Sequence, residues 1–267
     1  MQVDFLFLIP LMPAEKLNSQ RVALRALCFK QLRLLKASYR VWLLGDPGEE
    51  ISDFETIKVR GTSKEDKLWE AGRILKASFS PPARYVVRLD DDDLINVSAF
   101  EAAANKDFDC YADKYHQFYD LSSGAVCAQK RNWIPNTAIH KFEHAMKIVP
   151  SIGGSELAGK ENFLFACDHS QAWHPYYADK KVVYTDKSNP LYLRVLNPGS
   201  ITAQGNDSQS YTDYLRSFGN WEAPFPFADK QLENDLKKVW CQENGELHSY
   251  NFPKKSILNR LAQKISK

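Results

Sequence analysis

The first hundred residues alternate between short apolar runs and amphipathic stretches. The apolar runs predict strands at Asp4–Pro10, Tyr39–Asp46, Glu55–Arg60 and Tyr85–Leu89. Apolar residues at helical spacing predict helices at Ser19–Lys36 and Ser63–Lys76, the second capped by Ser63. Strands that alternate with helices predict an α/β fold, in which helices flank a mostly parallel sheet and ligands bind at the carboxyl ends of the strands.

After residue 100 the pattern changes. Aromatic residues crowd between Phe108 and Trp133, and "KYHQFYDLSSGAVCAQK" predicts a hairpin that turns at Ser122–Gly124. This part is predicted to be an α+β continuation of the same domain. We therefore expect one domain over residues 1–250, with a first half at 1–100 and a second at 101–205, followed by a tail at 251–267.

Four consecutive aspartates, Asp90–Asp93, follow the strand in "YVVRLDDDDLI". Adjacent carboxylates at the end of a buried strand repel one another. Asp90 and Asp92 are two residues apart, so their side chains can point the same way. Mg²⁺ and Mn²⁺ prefer oxygen ligands and would relieve this repulsion. The alternatives are a solvated acidic turn that caps the next helix and an aspartate nucleophile; an EF-hand is excluded, because Leu94 and Ile95 occupy two of its required positions.

The composition excludes several functional classes. Thirty-five basic and 33 acidic residues give a net charge of +2, which is too balanced for a protein that coats nucleic acid. No apolar run has the length of a membrane span, and "MQVDFLFLIPLMP" lacks a basic leader, which predicts a first strand and not a signal peptide. The five scattered cysteines form no CxxC pair, which favours reduced thiols in a cytoplasmic protein.

Two segments carry a resemblance to a known family. "RLDDDDLI" resembles the D-x-D segment of nucleotide-sugar glycosyltransferases with the GT-A fold, especially the inverting family 2 type and its rhamnosyltransferase-like branch. "CDHSQAWHPYYADKKVVYTDKSNPLYLRVLNPGSITA", Cys167–Ala203, resembles a later segment of that family. The resemblance covers the first 205 residues or so. It implies a GT-A-like fold and a metal-dependent, inverting sugar transfer.

The resemblance also implies roles for individual residues. Asp168 matches the general base, and Asp92 and Asp93 match ligands of Mn²⁺ or Mg²⁺. The residues assigned to the nucleotide-sugar are Pro10, Asp46, Lys67, Arg88, Asp90 and Asp91. The residues predicted to bind the acceptor are Trp133, His169 and Trp173. The two tryptophan rings present flat apolar faces that suit a sugar, and His169 follows the predicted base.

The chain departs from the family at two positions. Cys167 stands where the family usually has Glu, and Asn197 where it often has His. Because of these departures, the sequence does not decide whether the activity depends on a metal. It also allows the hypothesis that the chain is a remnant that binds a sugar or nucleotide without turnover. Further alternatives are an ion pair between Arg88 and an aspartate, a helix N-cap for Asp168, and a core position for each aromatic residue.

The segment "HKFEH", His140–His144, fits the H-x-x-E-H pattern of inverted zinc peptidases. In those enzymes the two histidines lie one helical turn apart and bind zinc. This is a competing enzyme class with a different site, which nothing else in the sequence completes.

The tail "PKKSILNRLAQKISK" places apolar residues at helical spacing among basic ones. Such a helix either lies on an anionic membrane surface or docks on its own domain. The first option suits a peripheral enzyme on the inner face of the membrane. The sequence thus predicts a nucleotide-sugar donor, a glycan or lipid-linked glycan acceptor, no nucleic acid, and a place in cell-surface polysaccharide or lipopolysaccharide synthesis.

Overall fold

The structure, a computed structural model, describes residues 2–48, 51–78, 80–150, 161–198 and 210–248. Its strands are β1 Val3–Pro10, β2 Tyr39–Leu44, β3 Glu55–Ile57, β4 Ala83–Arg88, β5 Leu94–Ile95, β6 Cys110–Asp113, β7 Tyr115–Asp120, β8 Val126–Lys130, β9 Ile139–Lys141, β10 Ile148–Pro150, β11 Glu161–Phe163, β12 Val182–Thr185 and β13 Tyr192–Leu196. Within these ranges no helix has both the length and the apolar character needed to cross a membrane.

The α-helices are α1 Ser19–Arg33, α2 Lys64–Ala77, α3 Val97–Ala104, α4 Phe142–Ala145, α5 His174–Tyr176, α6 Tyr211–Phe218 and α7 Lys230–Asn244. Short 3₁₀ turns occur at Ala14–Lys16 and Leu164–Ala166, and a π-helix at His169–Trp173 leads into α5. The predicted Ser63 cap forms: Ser63 Oγ accepts a hydrogen bond from the Asp66 amide.

Seven strands form the central sheet in the order β12-β6-β9-β4-β1-β2-β3. All are parallel except β9, which pairs antiparallel with β4 on one side and β6 on the other. A second sheet has the order β5-β13-β7-β8 and contains the predicted hairpin, β7 with β8. The predicted α/β fold, a mostly parallel sheet with flanking helices, is confirmed.

The central strand β1 explains how helices cover both faces of the sheet. Because side chains alternate along a strand, Phe5, Phe7 and Ile9 point to one face and Leu6 and Leu8 to the other. The first face packs against α1 and α7 through Leu24, Leu32 and Leu236, all fully buried. The second packs against α2 through Leu68, Ala71 and Leu75. A strand buried on both faces reads as a continuous apolar run, as β1 does.

The chain leaves β4 at the edge where the site forms. After Arg88 it turns through the four aspartates, with the Asp93 amide donating to the Asp90 carbonyl. It then enters β5, which pairs with β13 of the second sheet. The quoted stretch "YVVRLDDDDLI" is therefore two strands joined by an acidic turn, and that turn lies between the two sheets.

Candidate active site

A cavity of about 500 Å³ opens where the carboxyl ends of β1 and β4 meet the amino end of α2. Its lining gathers residues that are far apart in the sequence: Pro10, Leu11, Met12, Pro13, Lys16, Arg21, Thr62, Ser63, Lys64, Glu65, Lys67, Arg88, Asp90, Asp92, Asp93, Asn136, Asp168, His169, Arg194, Val195 and Leu196. Such an edge of an α/β sheet is where ligands are expected to bind.

Three of the four aspartates line the cavity. Asp90 forms an ion pair with Lys64 and accepts a hydrogen bond from Asn136 Nδ2 at 3.0 Å. Asp92 forms an ion pair with Arg21. Asp93 accepts a hydrogen bond from the Val195 amide through Oδ1, while its buried Oδ2 has no hydrogen-bond partner in the part of the chain that the structure describes. Asp92 and Asp93 are 8% and 2% exposed, so the alternative of a solvated acidic turn is wrong.

Asp91 points the other way and is fully buried. Arg25 binds its Oδ2 through Nε at 2.9 Å and Nη2 at 2.6 Å, and Arg21 binds its Oδ1 through Nε and Nη2. Arg25 Nη2 also donates to the Met12 carbonyl at 3.1 Å. We call this group, Arg21, Arg25, Asp91 and the Met12 backbone, the Asp91 side of the site. Its role is to hold Arg21 in the cavity wall.

The aspartates differ in proton affinity. Burial raises the pKa of Asp92 to about 6; Arg21 opposes this, and the charges of Asp91 and Asp90 add to it. Burial and the charges of Asp92 and Asp90 raise the pKa of Asp93 well above its usual value. For Asp90, burial is outweighed by Lys64 and Arg88, which lower the pKa below its usual value. Asp92 and Asp93 are therefore the two of these three carboxyls that bind a proton more readily than usual, whereas Asp90 stays ionised.

Asp92 and Asp93 fit a divalent cation. They offer hard carboxylate oxygens, which Mg²⁺ and Mn²⁺ prefer, and one or two carboxylates commonly suffice when phosphates complete the coordination. The buried Oδ2 of Asp93, which has no partner, is the atom that such a cation would satisfy.

Asp168, which also lines the cavity, serves as the N-cap of the π-helix. Its Oδ1 accepts hydrogen bonds from the Ser170 and Gln171 amides, both at 2.9 Å, and from Ser170 Oγ at 2.6 Å. Burial alone would raise the pKa of Asp168, but these hydrogen bonds and the neighbouring His169 lower it. Within the described residues Oδ2 accepts no hydrogen bond, so one oxygen remains available to a ligand.

Arg88 and His169 also line the cavity. We call Asp168, His169 and Arg88 together the Asp168 side of the site. Arg88 Nη1 donates to the Cys167 carbonyl at 3.1 Å, and its guanidinium lies 5.8 Å from the centre of the Trp173 ring. Burial and the positive charge of Arg88 lower the pKa of His169 to about 3. His169 is therefore neutral at physiological pH. The structure contains no ion pair between Arg88 and an aspartate among the described residues.

Lys67 lies on the side of β1. It is 6% exposed, and its Nζ donates to the Leu11 carbonyl at 2.7 Å. Burial lowers its pKa, although Asp91 opposes this shift. Gly45 follows β2 with a φ of 121°, a value that favours glycine, and an added Cβ there would lie 3.3 Å from Lys67 Nζ. The close approach of this backbone fixes the lysine between two strand ends.

Several residues predicted for the site lie outside the cavity lining. Asp46 is exposed, and its Oδ1 accepts a hydrogen bond from the Gly48 amide, so it closes a turn. Trp133 packs against His116 and Arg131. Trp173 is fully buried and donates from Nε1 to the Leu164 carbonyl, so it supports Arg88 from below and does not offer its ring to an acceptor. Asp91 and the buried Asn197 are also absent from the lining.

The zinc-peptidase hypothesis for "HKFEH" is wrong. His140 lies on β9, a strand, and His144 lies in α4, so they do not share a helix face. His140 is fully buried, with Nδ1 2.8 Å from Tyr177 Oη. His144 instead lies near Asp109 and Glu143, and these three side chains place one ligand atom each within 4.8 Å of one another. That group is compatible with a metal ion but lies outside the cavity lining.

Arg21, Lys64, Asn136 and Arg194 are among the polar lining residues that the sequence did not assign to the site. Arg21 and Arg25 are four residues apart on α1, which places them on one helix face. This spacing is visible in the sequence and indicates a pair of neighbouring positive charges. Lys64 is the first residue of α2, next to its cap. Asn136 and Arg194 gave no signal, because their positions depend on how the second half of the chain packs.

No protein-family model matches the chain, and no curated protein matches its sequence. Among solved structures, it is similar to S. aureus TarS 1-349, with 12% identity over 98% of this chain and 78% of that one and a TM-score of 0.42. A second S. aureus TarS structure gives 14% identity over 98% of this chain and 47% of that one, with a TM-score of 0.44. A glycosyltransferase involved in the glycosylation of the major capsid of PBCV-1 gives 10% identity over 72% of this chain and 93% of that one, with a TM-score of 0.36.

Proposed function

We propose that the chain is an inverting, metal-dependent glycosyltransferase that moves a sugar from a nucleotide-sugar donor to the hydroxyl of a glycan acceptor. One observation carries this proposal. A single cavity holds carboxylates suited to a divalent cation, several cations suited to a diphosphate, and a separate carboxylate with an open oxygen. The similarity to the solved structures is too distant to add residue roles.

The donor would lie on the side of β1. Pro10 and Lys67 line the cavity at the end of that strand, and Arg21 lines the same cavity. Arg21 and Lys67 bind the diphosphate, because guanidinium and ammonium groups held in a partly buried wall form strong hydrogen bonds to phosphate oxygens. Asp90, paired with Lys64, lies beside them and contacts the ribose. A Mn²⁺ or Mg²⁺ ion held by Asp92 and Asp93 would supply positive charge to the leaving diphosphate.

Asp168 is the proposed general base. In an inverting transfer, the acceptor hydroxyl attacks the anomeric carbon from the face opposite the leaving group. The attacking oxygen loses its proton to Asp168 Oδ2, the oxygen that the N-cap hydrogen bonds leave open. The three donors on Oδ1 fix the orientation of the carboxylate. The neutral His169 beside it lines the acceptor end of the cavity.

We propose that the acceptor belongs to cell-surface polysaccharide or lipopolysaccharide synthesis, and that the basic tail at 251–267 rests on an anionic membrane. The tail lies outside the described residues. Flotation of full-length and tail-deleted protein with phosphatidylglycerol vesicles tests the contact, and equal flotation of both would contradict it.

The deciding experiment for the activity is a thermal-shift panel of UDP, GDP, CDP and dTDP and their sugars, with and without Mn²⁺. We expect one nucleoside diphosphate to raise the melting temperature, more so with Mn²⁺, and Asp92→Asn to remove the part that depends on Mn²⁺. Asp46→Asn, at an exposed position outside the cavity, is the matched control. If no nucleotide stabilises the chain, the proposal fails.

A second candidate, a binding protein without turnover, is favoured by one observation. Asp168 already serves as a helix cap, and its pKa is lowered, which weakens it as a base. Nucleotide-dependent stabilisation without hydrolysis or transfer of any bound nucleotide-sugar would support this candidate over the transferase.

A further inference from the structure

Arg88 forms no ion pair with a described residue, although its positive charge helps to lower the pKa of Asp90. The residue is 6% exposed and lines the cavity. Nη1 donates to the Cys167 carbonyl, but the buried Nε has no hydrogen-bond partner among the residues that the structure describes. Nη2 also makes no hydrogen bond within the described residues. The edge of the guanidinium from Nε to Nη2 is therefore unpaired within the described residues.

Other arginines of the chain use this same edge to bind carboxylates. Arg25 holds Asp91 through Nε and Nη2, and so does Arg21. Arg33 holds Asp53 through Nε at 2.6 Å and Nη2 at 2.9 Å. The Nε–Nη2 edge matches the two oxygens of a carboxylate or phosphate. A buried charge without a partner is costly, so a ligand anion is the expected occupant at Arg88.

The position of Arg88 indicates which part of a substrate supplies the anion. Across the sheet, β1 lies on one side of β4 and β9 lies on the other. Lys67 contacts the end of β1, where the donor is proposed to bind. Arg88 instead reaches the Cys167 carbonyl, next to the proposed base Asp168. An anion bound at Arg88 is therefore tied to the peptide that places the base, at the acceptor end of the cavity.

We propose that Arg88 binds a carboxylate or phosphate group of the acceptor, so that the acceptor is an anionic glycan. This inference rests on the proposed function and names its substrate class. It moves Arg88 from the donor diphosphate, where the resemblance placed it, to the acceptor. The open edge selects an acceptor with a charged group close to the attacking hydroxyl.

The test is calorimetric titration of the full chain with two matched pairs of probes, with and without the nucleoside diphosphate that binds. The pairs are methyl β-glucuronide against methyl β-glucoside, and glycerol 1-phosphate against glycerol. We expect the anionic member of at least one pair to bind about tenfold tighter or more, because hydrogen bonds to charged groups are strong. The two pairs distinguish a carboxylate from a phosphate.

Arg88→Gln should abolish this preference while it leaves the affinity for the nucleoside diphosphate unchanged. Arg84→Gln is the matched control, since Arg84 lies on the same strand but is exposed and paired with Asp4. Arg88→Lys keeps the charge without the planar edge, so it should fold and still lose most of the preference. Melting temperatures check that each variant is folded.

Three results would overturn the inference: equal binding of charged and neutral probes, an unchanged preference in folded Arg88→Gln or Arg88→Lys, or a tenfold loss of nucleotide affinity in those variants. The last would assign Arg88 to the donor. If no nucleoside diphosphate binds at all, the proposed function fails, and the titrations without nucleotide still report on the anion site at Arg88.

Discussion

The two walls of the cavity differ in how their cations are neutralised. On the Asp91 side, one fully buried carboxylate serves two arginines, and the ionic partners come from the chain itself. On the Asp168 side, the described residues leave the Nε–Nη2 edge of Arg88 and Oδ2 of Asp168 without a hydrogen bond. Charged side chains that are paired within the protein stabilise its structure, whereas unpaired ones are available to bind a ligand. We therefore propose that the Asp91 side positions Arg21 and that the Asp168 side selects the acceptor.

The largest expected effect tests the open oxygen of Asp168. Asp168→Asn should lower the rate of sugar transfer by about 10²–10⁴-fold, the usual contribution of a general base. Asparagine is as good an N-cap as aspartate, so folding and nucleotide affinity should not change. Transfer rates with the donor identified by thermal shift provide the measurement.

The matched control for this change is Asp229→Asn, since Asp229 caps α7 through the Leu232 amide. That variant should transfer sugar at the wild-type rate. If Asp168→Asn keeps the rate within about threefold, Asp168 is a cap and nothing more.

The next effect tests the paired wall. Asp91→Asn leaves Arg25 as a buried charge without its counterion, so the free energy of unfolding should fall by about 3–5 kcal/mol. Urea denaturation followed by circular dichroism measures it. Asp46→Asn, at an exposed turn, should change the free energy of unfolding little. A loss below about 1 kcal/mol for Asp91→Asn would mean that water or rearrangement replaces the carboxylate.

A third prediction concerns pH and the packing beneath the Asp168 side. Burial and the charge of Arg88 lower the pKa of His140 to about 3, against about 6.5 in the unfolded chain. In that interval the unfolded state binds a proton that the folded state does not. The stabilisation is therefore complete above pH 6.5 and is lost as the pH falls towards 3.

His140→Gln should make the free energy of unfolding fall less steeply between pH 6.5 and 4, by up to about one proton in the linkage slope. Urea denaturation at a series of pH values measures the slope. The exposed His174→Gln is the control. An identical slope in wild type and His140→Gln would show that His140 does not set the acid sensitivity.

The smallest expected effect compares an exposed ion pair with a buried one that uses the same edge of the arginine. Arg33 binds Asp53 through the same edge that Arg25 uses for Asp91, but both partners are close to half exposed. Asp53→Asn should therefore cost less than about 1 kcal/mol of unfolding free energy, because water competes for exposed ion pairs. The same urea experiment measures it. A cost equal to that of Asp91→Asn would show that burial does not separate the two pairs.

The local pattern predicted the first half of the fold well. The helix at Ser19–Lys36 appears as α1, Ser19–Arg33, and the strand Asp4–Pro10 as β1, Val3–Pro10. β1 is a continuous apolar run, and α1 begins after Asn18, whose side chain accepts a hydrogen bond from the Arg21 amide, so neighbouring residues decide both elements. The hairpin at Ser122–Gly124 also formed, because Gly124, with a φ of 71°, supplies the conformation that the turn requires.

The ionic partners in the site were harder to predict. Arg21 and Asp91 are 70 residues apart, and nothing local indicates that two arginines of α1 meet one aspartate of the run. The same holds for Arg88, whose carbonyl partner Cys167 comes from the second half of the chain. For Asp168, the N-cap was foreseen as an alternative, and the structure shows that cap with one oxygen left open.

The insertion of β9 next to β4 has a kinetic consequence. The strand that leads into the aspartates pairs with β1, from the start of the chain, and with β9, whose Ile139 faces Val87. Both contacts close long loops, and such contacts form slowly because ordering the intervening chain costs entropy first. We expect the cavity to be among the last parts of the molecule to assemble. A nascent chain that has not yet emerged as far as Ile139 would lack the site, because the strand that pairs with β4 is missing.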